Sequence, residues 1–309
     1  VADAAPDNWI DRYASDWARP YLRLSRADRP TPVALLLIPC WWGLALAMLW
    51  DQQAWWEDAW IAIGCLIGAL LMRGAGCTWN DINDRDFDGQ VERTRSRPIP
   101  AGQVTPRQAF VWLCIQSLLA FGILLTFNRA AIALGVLSLF PVAIYPFAKR
   151  FTWWPQVFLG LAFNWGALLA WTAHAGALHW PAVFLYLAGI SWTLFYDTIY
   201  AHQDTEDDVL IGIKSTARLF GQDTAKWLKY FLVLTVALMA LAIITALLPN
   251  ASVLALVVAL AGPWAMGLHM AWQIRRFDPG DNAKLLQIFL SNRDTGLIPL
   301  TFLCIAMVL

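Results

Sequence analysis

Apolar runs of roughly 18 to 25 residues recur from one end of the chain to the other, each long enough to cross about 30 Å of hydrocarbon as a helix. The spacing predicts an all-α, polytopic membrane protein with nine spans. They fall at 31–50, 57–83, 107–127, 130–147, 154–173, 180–202, 224–247, 251–274 and 290–309. Composition agrees, since 59% of the 309 residues are hydrophobic and only 14% are charged, where a soluble domain carries about a quarter. Ahead of the first span, residues 9–27 mix aromatics with arginines and read as an interfacial segment, partly helical and interrupted at Pro20. The expected organisation is an interfacial segment over 1–30 and a single nine-helix domain over 31–309.

Lys and Arg placement gives an orientation. Of the 22 basic residues, 20 fall in the N-terminal segment or in the loops on that same side; the exceptions are Arg73 in span 2 and Arg129 in an opposite loop. The expectation is a cytoplasmic N-terminus. The nineteen tryptophans gather near span ends, as at Trp41, Trp42, Trp55, Trp56, Trp153 and Trp154, which reads as an interfacial belt. A net charge of zero provides no field to attract nucleic acid. The five cysteines lie in apolar segments with no C-x-x-C pair and read as small helix hydrophobes.

Span 2 runs into Asn80-Asp81-Ile82-Asn83-Asp84-Arg85-Asp86-Phe87-Asp88. If the helix continues, Asn80, Asp84 and Asp88 repeat at i, i+4 and i+8 and share a face. Like charges at that spacing repel, and a helix C-terminus already carries partial negative charge, so cations must compensate. A solvated cap paired with Arg85 and the downstream arginines is one reading. A second acidic set weakens it. Span 6 ends in Tyr196-Asp197-Thr198-Ile199-Tyr200-Ala201-His202-Gln203-Asp204, with Asp207 and Asp208 following, and Asp197, Asp204 and Asp208 are spaced i, i+7 and i+11. Both sets fall at the same ends of their spans. Two carboxylate sets at one membrane surface suit Mg²⁺, which takes one or two carboxylates plus phosphate oxygens. Arg93, Arg97, Lys149, Lys214 and Arg218 are cations able to hold the remaining phosphate charge. The pattern describes a site for the diphosphate of a lipid.

These residues resemble a known family. N80-D81-x-x-D84-x-x-x-D88, followed by R93-T-x-x-R97-P-x-P-x-G102, is similar to the first aspartate-rich motif of the UbiA superfamily of intramembrane prenyltransferases. Y196-D197-T-x-Y200-A-x-x-D204-x-x-D207-D208, followed by I-G-I-K214-S-T, is similar to the second, and Y145-P-F-x-K149-R150 lies between spans 4 and 5. Y-D-T-x-Y-A, K-S-T and the stretch LGLAFNWGALLAW look most like the members that prenylate 4-hydroxybenzoate in ubiquinone biosynthesis.

The resemblance implies nine helices around a central cavity opening to the cytoplasmic side, in a bacterial inner membrane or its mitochondrial equivalent. It implies polyprenyl diphosphate and an aromatic acid as substrates, with Mg²⁺ held by Asp84 and Asp88 on one side and Asp204 and Asp208 on the other. Asn80 would support the first site, and Arg93, Arg97, Lys149 and Lys214 would neutralise the leaving group. Arg150 is the candidate for the acceptor carboxylate, with an anionic-lipid contact the plain alternative, and Asp197 for the phenol or the departing ring proton, with an intramembrane pair to Arg or Lys the alternative. Tyr145, Tyr196 and Tyr200 are candidates to face an allylic cation, with interfacial packing the plain alternative. His202 either neighbours the site or points to solvent. Asn164 and Arg73, polar groups in apolar spans, either bond across helices or touch substrate.

Other readings stay open. A relative with a naphthoate, homogentisate, porphyrin or phospholipid-precursor acceptor would carry similar motifs. A transporter would place its acids nearer the bilayer midplane. A CDP-alcohol phosphotransferase would need D-G-x-x-A-R, whereas Asp88-Gly89 is followed by Gln90-Val91-Glu92-Arg93.

Overall fold

The computed structural model describes residues 8–89, 94–205, 209 and 212–309, and they are helical with no strand among them. Helix is what a chain in lipid requires, because every backbone polar group must then find its partner within its own segment. In chain order the helices are α1 (Trp9–Tyr13), α2 (Arg19–Leu24), α3 (Pro30–Asp51), α4 (Trp56–Asp88), α5 (Pro106–Leu124), α6 (Arg129–Leu137), α7 (Leu139–Phe151), α8 (Pro155–Phe163), α9 (Trp165–Ala175), α10 (Trp180–Ala201), α11 (Thr216–Phe220), α12 (Thr224–Leu247), α13 (Val253–Arg276) and α14 (Asn282–Ala306). Among the described residues, eight helical stretches are long and apolar enough to cross a membrane, and they match the first eight expected spans. The ninth, 290–309, overlaps α14 up to Ala306; the first half of that helix carries Lys284, Arg293 and Asp294, and it is not among those eight.

Two expected spans are broken. The span read at 130–147 divides into α6 and α7 at Ser138, because Pro141 lacks the N–H that would reach the carbonyl of Leu137. The span read at 154–173 divides at Asn164, whose Nδ2 donates to Gly160 O (2.9 Å) in competition with the backbone ladder. Pro20 does not interrupt a helix. It sits in the first turn of α2, where a missing N–H costs nothing.

The chain forms two compact units. One comprises Val1–Ala34 and Leu66–Thr126, the other Leu35–Cys65 and Phe127–Leu309. In the first, Leu24, Ile99, Val104 and Ala109 form a buried cluster with Tyr21 and Ile82 against it. The segment after α4 is folded onto that cluster by a turn in which the N–H groups of Gln103 and Val104 both reach Pro98 O. Gly102 closes it with φ +72°, a left-handed conformation that explains glycine at the end of the R-P-x-P-x-G stretch.

In the second unit α10 is the central element, packed on α8, α12 and α14. Its core is aromatic. Trp42 and Trp192 are fully buried with ring centroids 5.1 Å apart. Their indole N–H groups donate to Gly296 O (2.8 Å) and Asn292 Oδ1 (3.0 Å). Trp42 is therefore a core residue and not part of the expected belt, because a carbonyl on α14 satisfies its one donor. Trp55, Trp56 and Trp153 are exposed, as a belt requires. At the other end of α9, His174 lies between Asp58 (Nδ1 to Oδ1, 2.6 Å) and Asp51 (Nε2 to Oδ2, 3.1 Å), tying that end to the α3–α4 connection.

Candidate active site

The first acidic motif occupies the last turns of α4, and it is not a solvated cap. Asp81, Asp84 and Asp88 are 0%, 3% and 8% exposed, while Arg85 and Asp86 face out and pair with each other at 3.5 Å. Asn80 Nδ2 donates to Asp84 Oδ2 (3.1 Å), the i, i+4 contact expected of that face. Arg97 supplies the compensating charge, its Nη1 lying 2.8 Å from Asp88 Oδ2 and 3.4 Å from Asp81 Oδ1. Thr94 Oγ1 donates to Asp88 O (2.9 Å) and Arg97 N to Thr94 O (2.9 Å), so a short turn fixes the arginine over the helix end. Burial pushes the Asp88 carboxyl up from its ordinary value, Arg97 pulls it down, and the charges of Asp81 and Asp84 push it up again. Arg93 lies outside the described residues.

One member of this set is absent from the sequence-based site. Asp81 also receives Arg26 Nη2 at 2.8 Å, across 55 positions of sequence. At 3.6 residues per turn, Asp81 and Asp88 lie only about 20° apart around the helix, closer than Asn80 and Asp88 at about 80°. That seven-residue spacing was the available signal for Asp81. Nothing local in the sequence announces Arg26.

The second motif belongs to the other unit. The α-helix carrying Asp197 ends at Ala201 and passes into a 3₁₀ turn, His202–Asp204. The single α-helical face expected for Asp197 and Asp204 is therefore not continuous, and Asp208 lies outside the described residues. Asp197 and Asp204 are half-buried. Tyr196 is buried and accepts from Thr193 Oγ1 (3.1 Å), which itself accepts from Asn164 Nδ2 (2.8 Å). Asn164 thus bonds across helices, the first of its two expected readings. Tyr200 packs against Phe289 with ring centroids 4.4 Å apart and planes tilted by 41°, and Tyr145 is half-buried in α7. His202 does not point to solvent. It bonds Thr224 Oγ1 (3.1 Å) and packs edge-on to Phe277.

Lys149 and Lys214 are brought together by backbone, Lys214 N donating to Lys149 O (3.1 Å). The Lys214 ammonium and the Arg218 guanidinium lie over the Trp153 ring at 5.9 and 5.4 Å. Arg150 is exposed at the end of α7, its guanidinium 5.4 Å from the Phe147 ring centre. The Y-D-T and K-S-T stretches meet physically, for Thr198 and Thr216 share a 2.7 Å hydrogen bond and Thr216 N donates to Gln156 Oε1 (3.2 Å). Both hydroxyls are fully buried. Thr198→Val should cost about 1–3 kcal/mol by orphaning the Thr216 hydroxyl, and the Thr198→Val/Thr216→Val pair should cost less than the sum of the single changes. Thermal unfolding of the three variants in one detergent measures this; strict additivity would mean that the threonines do not rely on each other.

Among the described residues, no group of three His, Cys, Asp or Glu side chains converges as a ready-made metal cage. Of the three buried carboxylates at the end of α4, Asp81 is paired with Arg26 and Arg97, so the donors considered are Asp84, Asp88 and the Asn80 amide, all hard oxygen ligands with no thiolate or imidazole among them. That set fits Mg²⁺, which completes its shell with substrate and water oxygens.

Residues 36–293 match the model of the UbiA prenyltransferase family. The chain is 48% identical over 282 residues, 91% of its length and 72% of the relative's, to the mitochondrial 4-hydroxybenzoate polyprenyltransferase of Rattus norvegicus. Its fold is that of an apo UbiA homolog from Aeropyrum pernix K1, with TM-score 0.71 and 22% identity over 90% of this chain and 99% of the other. A UbiA homolog from Archaeoglobus fulgidus bound to GPP and Mg2+ superposes with TM-score 0.66 and 20% identity, covering 94% of this chain and 100% of that one. With the family model covering residues 36–293, the chain belongs to the UbiA prenyltransferase family.

Proposed function

We propose that the chain transfers a polyprenyl group from polyprenyl diphosphate to the ring of 4-hydroxybenzoate, ortho to the hydroxyl, releasing diphosphate as a step of ubiquinone biosynthesis. The observation that carries this reading is the 48% identity, over 91% of the chain, to a relative named for that reaction. The buried carboxylate end of α4 supports it chemically. Asp84 and Asp88, with Asn80, would hold Mg²⁺, as would Asp204 and Asp208 of the second motif. That both motifs serve one diphosphate rests on the sequence. When bound, Mg²⁺ neutralises charge on the departing diphosphate.

The protein's own groups do the rest. Arg93, Arg97, Lys149 and Lys214 bind phosphate oxygens and stabilise them as the allylic C–O bond breaks. The apolar spans take the prenyl tail and keep water from the allylic cation, which would otherwise end as a prenyl alcohol. Tyr145 and Tyr200 offer ring faces to that cation. Asp197, half-buried in α10, contacts the phenol or takes the proton lost from the ring carbon. Residues 31–309 work as one domain in an inner membrane, with 1–30 at its surface. The acidic motifs face the cytoplasm, a placement supported by the 20 of 22 basic residues on that side.

The acceptor brings a carboxylate into a low-dielectric site, where it needs a paired cation. Arg150 has the planar fork for it. Steady-state kinetics with each substrate varied in turn tests both the reaction and this role. Arg150→Ala should raise KM for 4-hydroxybenzoate about tenfold or more, the scale of a lost charged hydrogen bond, and Lys should restore part of it. A KM rise confined to the prenyl diphosphate would move Arg150 to the leaving group. No turnover by the wild type with this pair of substrates would overturn the functional reading.

A further inference from the structure

The side of α4 that carries Asp81 is built around a charge relay not needed to explain metal binding. Asp81 is fully buried, and its Oδ1 receives Arg26 at 2.8 Å and Arg97 at 3.4 Å. Its Oδ2 is buried with no hydrogen-bond partner among the described residues. Arg97 then continues to Asp88 at 2.8 Å, so the order is Arg26, Asp81, Arg97, Asp88. Arg26 is the nearer of the two guanidiniums to Asp81, and Arg97 lies closer to Asp88 than to Asp81.

The segment that presents Arg26 is held firmly. Trp112 Nε1 donates to Ser25 Oγ (2.9 Å), Ser25 Oγ donates to Gln116 Oε1 (3.1 Å), and the Tyr21 and Trp112 rings are 5.5 Å apart. Leu24 is fully buried. Arg26 itself adopts φ +52°, a left-handed conformation that is strained in a non-glycine residue and retained only where surroundings impose it. The N-terminal segment thus delivers one cation to the back of the aspartate motif at an energetic cost to its own backbone.

We infer that Arg26 is a positioning residue for diphosphate binding: by neutralising Asp81 it keeps Arg97 at the Asp88 end of the motif, where a diphosphate is bound. This rests on the reading that Asp84, Asp88 and Arg97 serve the Mg²⁺–diphosphate. Without Arg26, the buried Asp81 carboxylate draws Arg97 to itself, because an unpaired buried charge is the costlier state. Arg97 is then withdrawn from the substrate even though no group touching substrate has changed.

The test is calorimetric binding of geranyl thiolodiphosphate, which does not transfer its prenyl group, to the full chain in nanodiscs with Mg²⁺. Arg26→Met should weaken binding about tenfold, Arg26→Lys should weaken it less, and Arg26→Met/Asp81→Asn should return most of the loss, since removing the carboxylate removes what captures Arg97. Asp81→Asn alone should bind at least as tightly as the wild type, an arm that stands even if Arg26→Met does not fold. A merely structural role predicts weaker binding in every variant, in step with a lower unfolding temperature. The inference is overturned if the double variant binds no better than Arg26→Met, if Asp81→Asn binds more weakly than the wild type, or if Arg26→Met binds as the wild type does. If the wild type itself does not bind the analogue, the diphosphate reading falls first and the inference goes with it.

Discussion

Asp84→Asn should lower kcat/KM for prenyl transfer by about two to three orders of magnitude, the scale seen when one preorganised group stabilising developing charge is removed. The amide keeps the shape of the side chain and its contact with Asn80, so the local packing survives. What is lost is the Asp84 carboxylate, one of the two proposed to hold a hard cation. Removing that charge also relieves repulsion with Asp81 and Asp88, so the helix end should not unwind. Circular dichroism and the unfolding temperature in detergent should stay near the wild-type values while turnover collapses. Titration with Mg²⁺ should show the variant needing more metal for half-maximal rate. Wild-type turnover, or a loss of activity that tracks a loss of fold, would contradict the assignment.

Gly43→Val should give the largest loss of stability among single changes in the membrane core. A Cβ at Gly43 would lie 2.2 Å from Ala167 O and 2.9 Å from Ala167 C, so α3 and α9 meet backbone to backbone there. One level away, a Cβ at Gly166 would lie 2.2 Å from Cys40 Sγ. Small residues at such crossings are what let membrane helices approach, since lipid provides no hydrophobic drive between them. A flexible side chain can swing aside, but a helix backbone cannot. The cost should therefore reach or exceed the roughly 1–3 kcal/mol typical of overpacking. Because α9 begins at the Asn164 break, whose amide leads through Thr193 to Tyr196 beside Asp197, displacement of α9 should also lower turnover. An unfolding temperature equal to that of the wild type would mean that the crossing is looser than described.

These two sites illustrate what the sequence could and could not disclose. Apolar run length predicts helices well in lipid, so eight spans are legible to within a few residues. The breaks at Ser138 and Asn164 do not follow from run length, although Pro141 is a local signal for the first. The Asn80–Asp84–Asp88 face was legible because helical spacing is a local rule. The end of α10 was not, since the change from α to 3₁₀ at His202 alters the register that the spacing argument assumes. Trp42 reads like an interfacial residue by position, and only the carbonyl of Gly296, 254 residues away, makes it a core residue. Arg26 is hidden in the sequence for the same reason. Its partner lies 55 residues downstream, and Arg26 has a left-handed backbone that no propensity favours for arginine. The Thr198–Thr216 bond joins two stretches that the sequence marked by resemblance alone, and the fold gives them a physical connection.

The most direct measurement is product analysis with the purified protein, an isotope-labelled polyprenyl diphosphate, Mg²⁺ and a panel of aromatic acids in competition. The account predicts one dominant product, 4-hydroxybenzoate carrying the prenyl group on the ring carbon next to the hydroxyl, with its position fixed by NMR. Formation should stop in excess chelator and resume when Mg²⁺ is restored. Prenylation of a different acceptor in preference, or unchanged product formation in chelator, would contradict it.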